Sequence, residues 1–245
     1  MKTTTELNID ELVTRIEEYG FLVLPSLAEK ACYEEVARGL KKLMIERGEN
    51  GTPSSHLRAV FNVLPKDGLA PFEKLLSNPV LVSLAERVLG SDFRMTEIGA
   101  RWVQSDSAGL SMHVGAPVSG KRGSDSPSPS KCHVLTFSWL LSDMDTKSGR
   151  RFFMPFSHHY GHPPRPGIEY PYCTYIEAPI GSLIVFNSAT WHGFDTPPGT
   201  DSEGRLELCS GYVVPWIDPE VVGWKLIGSE VLEHCSDFVR RRSKR

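Results

Sequence analysis

The sequence predicts an α+β protein in which helices come first and a set of short strands follows. Three observations lead there. The first ninety residues carry apolar positions at helical spacing between caps and glycine stops. After residue 90, Gly, Pro, Ser and Thr punctuate short runs rich in β-branched and aromatic residues. With 245 residues and 40% hydrophobic content, the chain can bury one sizeable core. Helices followed by many strands imply an antiparallel sandwich or barrel with the helices packed on one sheet. A single domain, 1–245, is the simplest division, and no internal repeat is evident.

The elements are read in chain order. "NIDELVTRIEEYG" offers Asn8 or Asp10 as a cap, apolar Leu12, Val13 and Ile16, and Gly20 as a stop, which makes a short amphipathic helix. "FLVLP" follows as a strand. From Ser26 the chain runs into a long helix that Gly48 closes, and "PVLVSLAERVLG" gives a third. The runs "FRMTEIGARWVQ", "HVLTFSWLL", "YCTYIEAPI", "SLIVFN" and "LCSGYVV" are strand material. The segment 117–131, "PVSGKRGSDSPSPSK", is too rich in Gly, Ser and Pro for a regular element and reads as a mobile loop.

Composition excludes several classes. A net charge of −3 gives no general attraction to a nucleic acid polymer or a membrane, and the basic end "RRRSKR" reads as a solvated tail. The N-terminus lacks the apolar run of a signal peptide, and no stretch approaches the roughly 20 apolar residues of a membrane span, so a cytoplasmic location is expected. Five scattered cysteines without a CxxC pair suggest reduced thiols rather than a disulfide framework or a zinc knuckle.

Two of the eight histidines sit where strand ends would bring them together: His113, after "RWVQSDSAGLSM", and His192, in "GSLIVFNSATWHG". Arg205, thirteen residues beyond His192, falls on the next strand, where its guanidinium suits a bidentate pair with a small dicarboxylate. Two imidazoles and an arginine make a metal and keto-acid site, although each alone is more often a core or surface residue. His158, His159 and His162 offer a competing zinc cluster, but Gly161, Pro163 and Pro164 deny them a helix. Asp143 and Asp145 read as turn residues rather than catalytic acids.

Several stretches occur together in order: "EEYGFLVLPSL", "MHVG", "LLSDMDTKSGRRFFMPFSHH", "GSLIVFNSATWHG" and Arg205. In that order the chain resembles the phytanoyl-CoA dioxygenase superfamily of iron(II)/2-oxoglutarate oxygenases over nearly its whole length. The resemblance implies a double-stranded β-helix, a cupin-like jelly roll. It implies that His113 and His192 hold iron(II), that Arg205 binds the distal carboxylate of 2-oxoglutarate, and that Trp139 lies against the cosubstrate. Pro155-Phe156-Ser157-His158 resembles the family's Pro-Gly-Ser-His turn, which borders the pocket.

One residue departs from the family pattern. Non-haem oxygenases hold iron with two histidines and a carboxylate, yet two residues after His113 stands Gly115. This resembles the His-x-Gly motif of the superfamily's halogenases. There a chloride takes the vacated position, 2-oxoglutarate and O2 generate the oxidant, and the substrate radical recombines with the halide. Three readings stay open: a halogenase, an ordinary hydroxylase or other oxidative tailoring enzyme completed by Asp106 or Asp125, and a non-catalytic small-molecule binder. The substrate expected is a free small molecule, first a purine deoxynucleotide such as 2′-deoxyadenosine monophosphate. Lys121 and Arg122, with Lys131, Arg150 and Arg151 nearby in sequence, would supply charge for its phosphate, and Trp102, Phe61 and Trp191 would stack on its ring.

Overall fold

The structure is a computed structural model that describes residues 7–49, 52–104, 107, 109–115, 131–197, 204–218 and 223–243. Helix α1, Ile9–Tyr19, starts where the Asn8 side chain accepts from the Asp10 amide and stops at Gly20, whose φ of 89° continues no helix. Strand β1, Phe21–Leu24, leads into α2, Lys30–Glu46, and β2, His56–Leu57. Two further helices follow, α3 over Ala70–Leu76 and α4 over Pro79–Leu89; the second is capped by Asn78 and opens on a proline that has no amide to leave unpaired. The remaining strands are β3 Arg94–Met95, β4 Gly99–Val103, β5 Leu110–His113, β6 Val134–Leu140, β7 Arg151–Phe153, β8 Thr174–Ile176, β9 Leu183–Asn187, β10 His192–Phe194 and β11 Arg205–Val213. Two short helices end the chain, α5 Ser229–Leu232 and α6 Asp237–Arg242.

The strands form two antiparallel sheets. The larger has the order β1-β9-β6-β11-β4-β2, with β3 also paired to β11, and the smaller has the order β5-β10-β7-β8. From β4 onward the chain passes back and forth between them: β4, β6, β9 and β11 belong to the large sheet, and β5, β7, β8 and β10 to the small one.

Residue alternation along β11 assigns the two faces of the large sheet. Leu206 and Leu208 pair with Trp102, Ala100 and Trp139, and all of them join Val36, Leu40 and Leu84 of the helices in one apolar core. Arg205, Glu207 and Cys209 therefore face the other way, towards the small sheet, together with Leu140, Ile184 and Phe186, which pack on Phe153 and Ile176. The helices thus cover the outer face and leave the inner face for a site.

The basic C-terminus is partly built into the fold, which corrects the solvated-tail reading. Arg242 lies 3.9 Å over the Phe93 ring, donates to the carbonyls of Ser91 and Phe93, and pairs with Glu86 at 3.7 Å. No helix among the described residues is long and apolar enough to cross a membrane.

Candidate active site

His113 ends β5 and His192 begins β10, and antiparallel register places the two opposite each other with ring centroids 4.3 Å apart. Each Nδ1 meets a backbone carbonyl, that of Ser111 at 3.0 Å from His113 and that of Thr190 at 2.7 Å from His192. A carbonyl only accepts, so Nδ1 carries the proton and each Nε2 is left with a lone pair. This is the tautomer a metal needs, fixed by the backbone before any metal arrives. Burial lowers the pKa of both rings, and for His192 the neighbouring His113 lowers it further, well below the ordinary histidine value.

The surroundings hold His192 in place. Its ring lies 4.7 Å from Phe186 and 5.9 Å from Phe153. The preceding amide, of Trp191, donates to Ser157 Oγ at 2.8 Å, and that hydroxyl donates to Met154 O at 2.7 Å. Ser157 belongs to the Pro155–His158 turn, where Phe156 adopts φ 64° and packs its ring 5.0 Å from Tyr19. Thr190 Oγ1 donates to Gly20 O at 2.9 Å; a Cβ on Gly20 would sit 2.4 Å from that hydroxyl, so the end of α1 and the His192 strand meet only over glycine.

Gly115 donates its amide to Ser188 O at 2.8 Å. A Cβ placed on Gly115 would lie 2.0 Å from Ser188 Oγ, so the serine hydroxyl fills the space where a longer side chain would begin. Among the described residues no three His, Cys, Asp or Glu side chains gather as a metal site. Asp106 and Asp125 lie outside the described residues. A cavity of about 290 Å³ opens beside His192 and is lined by Gly115, Thr136, Ser188, His192, Cys209 and Trp224, among others.

Deeper between the sheets sits a cluster of charge. Glu207, 0% exposed, accepts from Arg205 Nε at 2.5 Å on one oxygen and from Arg151 Nε at 2.7 Å on the other. Arg205, also 0% exposed, donates in addition to Gly149 O, and Arg151 donates to Ser138 Oγ at 3.1 Å. Arg101, inward from β4 and in register with Glu207, places its guanidinium 4.7 Å over the ring of Phe194. Cys209 is neutral, its pKa raised by burial and then by Glu207. Three guanidiniums against one carboxylate leave two positive charges in excess, the charge balance of a site for a dianion.

Several residues singled out from sequence lie elsewhere. Trp139 is fully buried on the helix side of β6, so it does not touch the space between the sheets; this corrects its assignment to the cosubstrate. Trp102 and Phe61 are likewise in the helix-side core, Phe61 edge-on to Phe72, and neither faces the cavity as a ring platform. Lys121 and Arg122 lie outside the described residues. His158 and His159 both donate from Nε2 to Glu17 O, at 2.9 and 3.1 Å, and no three His, Cys, Asp or Glu side chains gather around them among the described residues, so the zinc reading finds no ligand set there. Asp145 accepts from the amides of Lys147 and Ser148, and Asp143 from that of Ile180, as turn residues do. Glu207, Arg101 and Ser188 escaped the sequence reading, and Arg151, read there as charge for a phosphate, is instead paired with Glu207. The alternation in "RLELC" does place Glu207 on the face of Arg205, and that was the available signal. Trp139→Ala is expected to cost about 3–5 kcal/mol of stability, measured by chemical denaturation, and to leave 2-oxoglutarate affinity unchanged in the folded fraction.

No family model matches the chain. A curated relative, dioxygenase af480 of Aspergillus fumigatus, is 22% identical over 227 residues, 87% of this chain and 69% of that protein. Among solved structures, HygX from Streptomyces hygroscopicus, with nickel and 2-oxoglutarate bound, superposes with a TM-score of 0.66 at 18% identity, covering 87% of this chain and 89% of that one. The non-haem α-ketoglutarate-dependent epimerase SnoN from nogalamycin biosynthesis gives 0.62 at 17%, covering 90% and 96%. The fold is shared with these proteins.

Proposed function

We propose that this chain is an iron(II)/2-oxoglutarate-dependent enzyme built on a double-stranded β-helix, and that it halogenates an unactivated C–H bond of a free small molecule. The observation that carries the reading is the pair of convergent, backbone-oriented imidazoles of His113 and His192 with Gly115 where a third protein ligand would stand. The donor set fits a divalent metal: both Nδ1 atoms are tied to carbonyls, so two Nε2 lone pairs are available to it. The positive excess between the sheets fits the two carboxylates of 2-oxoglutarate. Bound there, iron(II) with 2-oxoglutarate and O2 would supply an oxidant able to take a hydrogen atom from carbon. The chain's own residues hold the metal, seat the diacid, wall His192 with Phe186 and Phe153, and leave one anion position to chloride.

The structural neighbour HygX supports the cosubstrate rather than the halide: it holds nickel and 2-oxoglutarate, and has also been solved with hygromycin B bound. The cavity of about 290 Å³ suits a small molecule. 2′-Deoxyadenosine monophosphate heads the panel of candidate substrates; the cations proposed for its phosphate, Lys121 and Arg122, lie outside the described residues.

The test has two stages. Anaerobic addition of iron(II) and 2-oxoglutarate is expected to give the visible charge-transfer band of a chelated keto acid, and His113→Ala or His192→Ala to abolish it. Mass spectrometry of products from nucleotides, amino acids and alkaloids, with and without chloride, then decides the outcome. A chlorinated product supports the reading. Hydroxylation that ignores chloride would establish the hydroxylase alternative, and no band in the wild type would leave the non-catalytic binder.

A further inference from the structure

Resting on the cosubstrate reading above, we infer that the distal carboxylate of 2-oxoglutarate is received by Arg101 on β4, and not by Arg205 on β11. The reason is occupancy. Glu207 already gives one carboxylate oxygen to Arg205 and the other to Arg151, so an internal carboxylate sits where a ligand's carboxylate would have to pair with either arginine. Arg205 further spends Nη1 on Gly149 O, and its remaining nitrogen, Nη2, is buried out of reach without a partner among the described residues. A ligand that displaced Glu207 would leave an ionised carboxylate buried and unpaired, which is heavily penalised.

Arg101 meets the opposite conditions. It is only partly buried, it has no ion-pair or hydrogen-bond partner among the described residues, and its guanidinium carbon lies 4.7 Å from the centre of the Phe194 ring, nearer than that of Arg205 at 5.5 Å. Its length of reach also fits. Phe194 follows His192 by two residues on the same face of β10, which places it about 7 Å further along the strand. The five-carbon backbone of 2-oxoglutarate spans about 5 Å between its terminal carbons, allowing for bond angles. A keto-acid end at the histidines therefore brings the distal carboxylate to the level of Arg101. The planar fork offers it two parallel N–H donors.

The test uses the full chain loaded with nickel(II), so that binding is read without turnover. Isothermal titration with 2-oxoglutarate is expected to show a roughly 10- to 100-fold weaker Kd for Arg101→Ala than for wild type, the range of a charge-assisted bidentate pair. Pyruvate, which lacks the distal carboxylate, is expected to bind both proteins alike, and Arg101→Lys to fall between them for 2-oxoglutarate. Nickel affinity and circular dichroism should be unchanged in both variants. Wild-type affinity for 2-oxoglutarate in a folded Arg101→Ala would overturn the inference, as would an equal loss for pyruvate and 2-oxoglutarate. A wild type that binds nickel but no keto acid would overturn the cosubstrate reading itself and this inference with it.

Discussion

Replacing Glu207 with alanine is expected to destabilise the protein by about 3–5 kcal/mol at pH 7, because it leaves the guanidiniums of Arg151 and Arg205 buried without their shared carboxylate. Glu207→Gln keeps the shape and two hydrogen-bonding atoms but not the charge, so it is expected to lose nearly as much. The pH dependence separates the charge from the packing. Burial raises the Glu207 pKa, but Arg151 and Arg205 together outweigh it and hold the carboxyl well below the ordinary carboxylate range. A group depressed in the folded state contributes its full stabilisation above its unfolded pKa of about 4.3 and loses it as pH falls from there towards the folded value, since only the unfolded chain takes up the proton in that window. The difference between wild type and Glu207→Gln, followed by urea denaturation, should therefore be constant from pH 8 to about pH 5 and shrink below about pH 4. A Glu207→Ala protein as stable as wild type would show that the triad is not held as an ion pair.

The histidines were legible because each closes a recognisable phrase, "MHVG" after a strand start and "SATWHG" after "SLIVFN". Most of the small sheet was not. Strands β5, β7 and β10 are three or four residues long, too short for a period of two to declare itself. The large sheet raised the opposite difficulty: β9 is buried throughout, and β6 and β11 are buried but for one residue each, because helices cover one face and the small sheet the other. A run such as "VLTFSWLL" then says strand without saying which residue faces which layer. Hence Trp139 and Trp102 could be placed on their strands but not on the correct side of the sheet. Arg205 and Glu207 share a face by simple alternation, yet that Glu207 also takes Arg151 follows only from β7 lying across the gap, a contact 56 residues away in sequence.

On the halogenase reading proposed above, Gly115→Asp alone is expected to abolish chlorination without creating an ordinary iron-binding triad. Gly115 has no positive φ, so the obstacle is space rather than backbone conformation. The new Cβ would meet Ser188 Oγ at 2.0 Å, and the Ser188 backbone is pinned by its own carbonyl's bond to the Gly115 amide at 2.8 Å. Something must move, at a cost of about 1–3 kcal/mol, and the carboxylate is carried off the line to the metal. Removing the obstructing hydroxyl in Gly115→Asp/Ser188→Gly should restore the room. The double variant is then expected to bind cobalt(II) independently of chloride, because a tethered carboxylate two residues from His113 outcompetes a free anion for the same position. Wild type is expected to bind the metal and 2-oxoglutarate more tightly as chloride is raised, and the single variant to gain nothing from chloride and to bind less tightly than the double. Titration calorimetry of the three proteins at low and high chloride, with sulfate matching ionic strength, makes the comparison. If Gly115→Asp alone already binds cobalt(II) as tightly as the double variant, Ser188 does not hold that space. If wild-type affinity ignores chloride, no halide position follows from Gly115, and the hydroxylase reading takes its place.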